Sequence, residues 1–268
     1  MRPLEPAVEA ICGAAALAVE ALAGGDISGA SRVRLAGDRT VVVKGGPTIE
    51  REARMLSAMK ALGAPVPEII GCADGWLVLE DLGPSRPFSA AAWTAIAEAL
   101  EPLKDADPRE GFGWSQAYSL AHVEVPNRRD RNWSAFWRDN RLLCHVSALD
   151  RTLARRIENL AAQLDQIIPE RPPVALLHGD LWGGNVLWDG TRAWLIDPCS
   201  YYGDREVDIA ALTVFDSPPE EFFDRLALDP GWRERLLVYR LWMWLIHVRL
   251  FGDSYRGAVE RDLDALGF

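Results

Sequence analysis

Alternating apolar and polar positions predict short paired strands in the first third of the chain. The runs "RVRLA" and "TVVVK" are apolar and β-branched, and the turn residues Gly37–Arg39 lie between them. A second pair of runs, "PEII" and "WLVLE", flanks another turn-rich segment. Apolar runs separated by Gly and Asp are typical of β-hairpins. The pattern therefore predicts two strand pairs before residue 82.

Two helices are predicted among these strands. Residues 5–22 are rich in Ala, Leu and Glu, which favour helix. Residues 48–62 carry apolar side chains every three or four positions, and Gly63 and Pro65 follow at the end. The start of the chain is thus expected to combine a small sheet with helices.

From about residue 88 the pattern becomes mainly helical. The clearest helix is Trp232–Leu250, which is aromatic-rich and reads as buried core. A Gly- and Pro-containing connector at 83–87 precedes this part. We therefore predict an α+β fold with a β-rich N-terminal lobe at residues 1–82 and a larger helical lobe at residues 83–268.

Composition restricts the classes of function. The 268 residues are 49% hydrophobic and 25% charged, which suits an ordinary globular protein. The net charge of −10 disfavours a nucleic-acid-binding protein, because such proteins normally carry a basic face. The start of the chain lacks the pattern of a secretory signal, and the longest apolar run is interrupted by Arg and His. We therefore expect a cytoplasmic protein with neither nucleic-acid nor membrane partners.

The segment "HGDLWGGNVLWDGTRAWLID" at 178–197 carries the strongest chemical signal. Asp189 and Gly190 predict a tight turn between two short strands. Pairing of these strands should bring Asn185 close to Asp197, with Asp180 on the loop just before. Mg²⁺ prefers such oxygen ligands and shares the rest of its coordination with water and phosphate. The segment thus predicts three oxygen donors that converge at one end of a hairpin and suit a divalent cation.

The N-terminal lobe offers groups that suit a nucleotide. Lys44 ends a predicted strand and can contact phosphates, and Glu52 on the next helix can pair with it. The Gly-rich loop "GGDIS", with Gly25 and Ser28, can close over phosphates through backbone amides. Kinases use a recurring set of groups for phosphoryl transfer. In chain order they are a Gly-rich loop, Lys, Glu, a connector, and then Asp, Asn and Asp, and this sequence has the same order.

The motifs also resemble a known family. The triplet His-Gly-Asp at 178–180 is similar to that of the aminoglycoside and choline phosphotransferases, which share the protein-kinase-like fold. "LLHGDLWGGNVLWD", "IDPCSYYGDREVDIAAL" and "PGWRERLLVYRLWMWLIHVRLFG" resemble the fructosamine kinase family more specifically. The resemblance runs from the Gly-rich loop to the last helix. It implies a two-lobed fold and ATP-dependent phosphorylation of the 3-hydroxyl group of ketosamines, which are glycated amines.

The resemblance also implies roles for individual residues. Asp180 would accept the hydroxyl proton, and Asn185 and Asp197 would bind Mg²⁺. His178 would orient the loop by hydrogen bonds, whereas Asp204 and Asp208 would anchor the catalytic loop from below.

Further roles concern ATP and the acceptor. Lys44 and Glu52 would hold the ATP phosphates, and the backbone of Glu80, Asp81 and Leu82 would contact adenine. Trp182, close to the catalytic base Asp180, would pack against the sugar of the ketosamine. The acceptor would be a small glycated amine, and the chain is expected to be a monomer or a weak homodimer.

Three alternatives remain open at this stage. A phosphotransferase of the same fold could act on an aminoglycoside, choline or a free sugar, because fold does not determine the substrate. The chain could also be a nucleotide-binding module without catalysis, or a scaffold protein. The presence of Asp180, Asn185 and Asp197 disfavours the last two. The short interval between Asp197 and Tyr201 leaves little room for an activation segment, which disfavours a kinase of folded proteins.

Overall fold

The computed structural model describes most of the chain, and the residues it covers are 3–22, 29–104, 106–107 and 111–268. In these ranges the helices are α1 (Leu4–Cys12), α2 (Ile49–Ala61), α3 (Ala90–Leu100), α4 (Trp133–Trp137), α5 (Arg151–Ala161), α6 (Glu206–Phe215), α7 (Glu220–Leu226), α8 (Trp232–Phe251) and α9 (Arg256–Leu266). The strands are β1 (Ala16–Ala21), β2 (Ala30–Leu35), β3 (Thr40–Gly45), β4 (Ile69–Ala73), β5 (Trp76–Glu80), β6 (Tyr118–Leu120), β7 (Val123–Val125), β8 (Val174–Leu176), β9 (Val186–Trp188), β10 (Ala193–Leu195) and β11 (Tyr202–Asp204).

The chain forms two compact units, each built from two segments. The first unit comprises Met1–Ala99 and Gly184–Pro198, and the second comprises Leu100–Gly183 and Cys199–Phe268. The sequence predicted a division after residue 82, with the later hairpin in the second lobe. In the structure the β9–β10 hairpin belongs to the first unit.

Backbone hydrogen bonds explain why the hairpin belongs to the first unit. The Leu195 amide in β10 donates to the Pro65 carbonyl at 2.8 Å, and the Arg86 amide donates to the Trp188 carbonyl in β9 at 2.8 Å. The hairpin thus satisfies its backbone groups on residues far earlier in the chain, a pairing that sequence periodicity does not reveal.

The first unit is built on a five-stranded antiparallel sheet with the order β1-β2-β3-β5-β4. Both predicted hairpins are confirmed. Successive side chains in a strand point to opposite faces, so Val41 and Val43 enter a buried apolar cluster that also contains Val8 of α1. Val42 and Lys44 therefore lie on the other face of the sheet.

The predicted helix over 5–22 is wrong in its second half. Helix α1 ends where Gly13 adopts a left-handed conformation (φ +66°) and donates its amide to the Glu9 carbonyl. The Ala-rich segment Ala16–Ala21 then pairs with β2 as an edge strand. Cross-strand hydrogen bonding thus overrides the helix propensity of Ala. The predicted helix over 48–62 is confirmed as α2, and that over Trp232–Leu250 as α8.

Helix α8 is the core element of the second unit and packs against α6 and α9. Its Tyr239 lies edge-on to Trp137, with ring centroids 4.9 Å apart, and both side chains are fully buried. The prediction of mostly helical structure omitted two small strand pairs, β6–β7 and β8–β11. Within the described ranges, every helix is too short or too polar to cross a bilayer.

The loop after β8 is fixed by backbone hydrogen bonds inside the second unit. The amides of His178 and Gly179 both donate to the Asp208 carboxylate, at 2.7 and 2.8 Å, and the Cys199 amide donates to the His178 carbonyl. Gly179 has a left-handed φ of +82°, and a Cβ there would lie 2.1 Å from the Cys199 carbonyl oxygen. Only glycine fits this position, because both the conformation and the space exclude a side chain.

We expect Gly179→Ala to destabilise the protein much more than Gly267→Ala. Gly267 has nearly the same φ, +84°, lies in the same unit, and has no atom within 4 Å of the Cβ position. The control variant should lose about 1 kcal/mol of unfolding free energy through backbone strain alone. Gly179→Ala should lose at least about 3 kcal/mol, because it adds a clash with backbone. Urea unfolding of both variants tests this, and equal losses would contradict it.

Candidate active site

Lys44 is a buried cation held between two carboxylates in the first unit. Its Nζ lies 2.6 Å from Glu52 Oε1 and 2.7 Å from Asp197 Oδ1. Strand β3 directs Lys44 away from the apolar cluster, and α2 carries Glu52 opposite it. The predicted pair of Lys44 with Glu52 is confirmed. The pair with Asp197 joins residues 153 positions apart and was not predicted.

The two carboxylates keep Lys44 charged. Burial by itself would lower the pKa of Lys44, but the charges of Glu52 and Asp197 outweigh it and raise the pKa above its usual range. The side chains of Lys44 and Glu52 are only 3% and 4% exposed, whereas that of Asp197 is 30% exposed. Asp197 is therefore the solvent-facing member of this ion group.

The β9–β10 hairpin places Asn185 and Asp197 at the same end. The Ile196 amide donates to the Asn185 carbonyl at 3.1 Å, so the residues before β9 and after β10 remain paired beyond the strands. Asp197 adopts a left-handed conformation with φ +56°, which is uncommon for a non-glycine residue. Such strained positions cluster at functional sites.

Asn185 and Asp197 offer hard oxygen donors that fit Mg²⁺. No group of three or more His, Cys, Asp or Glu residues that could hold a metal occurs among the described residues. An ion at this hairpin would therefore need further oxygen ligands from water or phosphate. That is the usual coordination of Mg²⁺ in phosphoryl-transfer sites.

A cavity of about 370 Å³ extends from this charged group within the first unit. Its volume falls in the range of small-molecule sites. Its apolar lining includes Val42, Leu79, Leu187 and Ile196. Its polar lining includes Lys44, Asn185 and Asp197, and the segment Glu80–Ser85 also borders it. A cavity with both an apolar lining and a charged group suits a nucleotide, which has a flat base and a chain of phosphates.

The connector after β5 is held by an arginine that the sequence analysis missed. Arg32 Nε and Nη2 donate to the two Asp81 carboxylate oxygens at 2.7 and 2.9 Å, and the Gly83 amide donates to Asp81 at 3.0 Å. Burial would raise the pKa of Asp81, but these hydrogen bonds outweigh it and lower the pKa. The Asp81 side chain is thus used to fix the connector, and the Glu80 carboxylate accepts the Glu68 amide.

In the second unit, Asp180 lies half-buried on the loop that Asp208 anchors. Its amide donates to His178 Nδ1 at 3.3 Å, so the buried imidazole orients the loop as predicted. Burial raises the pKa of Asp208 to about 7, against the two backbone donors that hold it. Asp208 is confirmed as an anchor. Asp204 is not one, because it accepts the Glu206 amide and the Tyr239 hydroxyl instead.

Trp182 follows two residues after Asp180 and is also half-buried. Its ring contacts Phe215 edge-on, with centroids 5.9 Å apart. The sequence predicted that Trp182 packs against the sugar, and this stays a prediction. The partner ring at Phe215 could not have been predicted, because 33 residues separate it from Trp182.

The structure therefore groups most of the predicted nucleotide residues in one unit. The first unit contains Lys44, Glu52, Asn185, Asp197 and the connector. The second unit contains Asp180 and Trp182. Gly25 and Ser28 lie outside the described residues. Strand pairing places Arg32 opposite Val42, on the cavity face of the sheet. Strand alternation could indicate that face, but not the pairing with Asp81.

Comparison with known proteins places these features in a family. The sequence profile of the family described as "Fructosamine kinase" matches residues 10–266. A "Probable ketoamine kinase" of Thermus thermophilus is 31% identical over 252 residues, which cover 91% of this chain and 92% of that protein. One from Staphylococcus aureus is 30% identical over 271 residues and covers 92% of each chain.

Solved structures agree with the fold. A "putative fructosamine-3-kinase" from Thermobifida fusca superposes with a TM-score of 0.86 at 27% identity and covers 98% of both chains. The streptomycin–ATP–APH(2″)-IIa ternary complex superposes with a TM-score of 0.65 at 15% identity, over 98% of this chain and 97% of that chain. The second likeness concerns the fold alone.

These matches confirm both the α+β, protein-kinase-like fold and the resemblance drawn from the motifs. The chain belongs to the fructosamine kinase family.

Proposed function

We propose that this kinase transfers the γ-phosphoryl group of ATP to the 3-hydroxyl group of a ketosamine. The observation that carries the proposal is the buried Lys44 between Glu52 and Asp197, in the lining of a partly apolar cavity. In a member of the fructosamine kinase family, this arrangement suits binding of a nucleoside triphosphate. Acyl, glycosyl or hydride transfer would not require it.

The nucleotide would lie in the cavity of the first unit. Adenine would lie against the apolar lining and hydrogen-bond to the backbone of Glu80–Leu82, whose position the Arg32–Asp81 pair fixes. The phosphates would then reach Lys44. The Gly-rich loop, with Gly25 and Ser28, is expected to add backbone amides. Binding of AMP in a solved structure of LicA, which shares the fold at a TM-score of 0.67, is compatible with this mode.

Asn185 and Asp197 would hold Mg²⁺ together with phosphate oxygens. The bound ion would supply neutralisation of phosphate charge during transfer. This need is acute here, because the chain carries a net charge of −10 and the Lys44 group contains two carboxylates for one ammonium.

Asp180 would accept the proton of the attacking hydroxyl group. Its loop is held by Asp208 and by the constrained backbone at Gly179, so the carboxylate is pre-positioned. In phosphoryl transfer the protein mainly aligns the reactants and stabilises charge. Proton transfer to Asp180 completes the step, and the products are ADP and the 3-phosphorylated ketosamine.

The acceptor class is tested by ADP release with different alcohols. We expect fructosyl-lysine to stimulate ADP release strongly, and ³¹P and ¹H NMR of the product to place phosphate on O3. Kanamycin, choline and free fructose should give little turnover. Stimulation by one of these alone would assign the activity to another phosphotransferase class. Thermal stabilisation by MgATP without turnover on any alcohol would indicate a nucleotide-binding module.

Asp180→Asn should abolish nearly all kinase activity. The amide keeps the size of the side chain but cannot accept the proton, and loss of a general base typically costs 10²- to 10⁴-fold in rate. Glu158→Gln, an exposed change on α5 in the same unit, should leave the rate unaltered. Steady-state turnover measures both, with thermal unfolding as a folding check. Residual activity above about a tenth of wild type would contradict the base assignment.

Lys44→Met should reduce both the stability and the activity of the protein. Adding Glu52→Gln distinguishes the cause of the stability loss from the cause of the activity loss. The variant leaves Glu52 charged and buried without its cation, which should cost about 3 kcal/mol of unfolding free energy. Adding Glu52→Gln removes that buried charge and should restore much of the stability. ATP turnover should stay lost in both variants, because neither can contact phosphate. Recovery of turnover in the double variant would show that Lys44 has only a structural role.

A further inference from the structure

The second unit contains a partly exposed group of aromatic rings that includes Trp182, two residues after Asp180. Trp182 contacts Phe215, and Phe215 contacts the His247 ring with centroids 4.9 Å apart. Phe215 and Phe251 are 41% and 50% exposed, which is high for large apolar side chains. The members of this aromatic patch are Trp182, Phe215, Trp244, His247, Phe251 and Tyr255.

Asp216 adds a carboxylate beside the aromatic patch. Its Oδ2 accepts the Gly183 amide at 2.7 Å, and this is the hydrogen bond that its side chain makes within the described residues. A Cβ on Gly183 would lie 2.5 Å from Asp216 Oδ1, so the glycine leaves room for the carboxylate. Partial burial raises the pKa of Asp216, and the Gly183 amide only partly opposes this.

Two other carboxylates near the patch already have cationic partners. Asp262 accepts from Arg240 and from the Trp244 indole nitrogen, and Arg256 pairs with Glu260. No such cation pairs with Asp216 in the part of the chain that the structure covers. A half-buried carboxylate without a cation, next to exposed aromatic faces, is complementary to an organic ammonium ion.

A ketosamine carries such an ion close to the reacting group. Its nitrogen is bonded to C1 of the sugar, two carbons from C3, and it is a secondary amine that is protonated at neutral pH. Gly183 follows Asp180 by three residues, a span of at most about 11 Å of chain. A substrate with its 3-hydroxyl at Asp180 can therefore extend its ammonium toward Asp216.

We infer that Asp216 is a specificity-determining residue that binds the substrate ammonium, with Phe215 packed against the substituent on that nitrogen. The inference rests on the proposed function and deepens it. Selection acts through charge: a sugar or ether without the amine loses the contact with Asp216, although it presents the same hydroxyl group to Asp180.

Asp216→Asn tests the inference, because the amide oxygen can still accept from Gly183 while the negative charge is lost. The two acceptors are N-propyl fructosamine and its neutral analogue 1-O-propyl fructose. For the amine, we expect KM to rise about tenfold with little change in kcat. For the ether, both constants should stay within about twofold. Asp224→Asn, an exposed change on α7, is the matched control and should change neither acceptor.

Each other outcome overturns the inference in a distinct way. An equal rise in KM for both acceptors means that Asp216 only supports the loop through Gly183. No change for the amine means that the ammonium binds elsewhere. If wild-type protein phosphorylates neither acceptor but does phosphorylate another alcohol, the proposed function itself is wrong, and the role of Asp216 is rejected with it.

Discussion

The buried ammonium of Lys44 is the interaction on which the candidate site depends. Removing the charges of Lys44 and Glu52 from water is costly, and it is tolerated because Lys44 lies within 2.7 Å of both carboxylates. The group has one positive and two negative charges, so a net negative charge remains on its exposed side at Asp197. In the proposed function a divalent cation would compensate that charge, and Lys44 would contact phosphates. The same ion group would therefore bind a metal ion and nucleotide phosphates together.

The fold produces this ion group by bringing three separate parts of the chain together. Strand alternation in β3 turns Lys44 to the cavity face, and α2 carries Glu52 above it. Asp197 comes from a hairpin that lies more than a hundred residues later, yet its strands bond to Pro65 and Arg86 of the same unit. The cavity and its charged group are therefore built within one compact unit, whereas Asp180 and the aromatic patch belong to the other.

Local patterns predicted those parts of the structure that local interactions determine. The two N-terminal hairpins, α2, α8 and the turn at Asp189-Gly190 all carried clear signals, and the Lys44–Glu52 pair followed from neighbouring elements. Ala16–Ala21 was mispredicted, because pairing with β2 decides its conformation. The Arg32–Asp81 pair and the packing of Phe215 on Trp182 join distant residues, so periodicity could not reveal them. Family resemblance supplied the role of Asp208, but it placed Asp204 wrongly.

A crystal structure with Mg²⁺ and a non-hydrolysable ATP analogue tests the central claim most directly. The account predicts adenine against the apolar lining of the cavity in the first unit, a phosphate oxygen hydrogen-bonded to Lys44, and Mg²⁺ bound by Asn185 and Asp197. Phosphates bound away from Lys44, or a metal held by other residues, would contradict it.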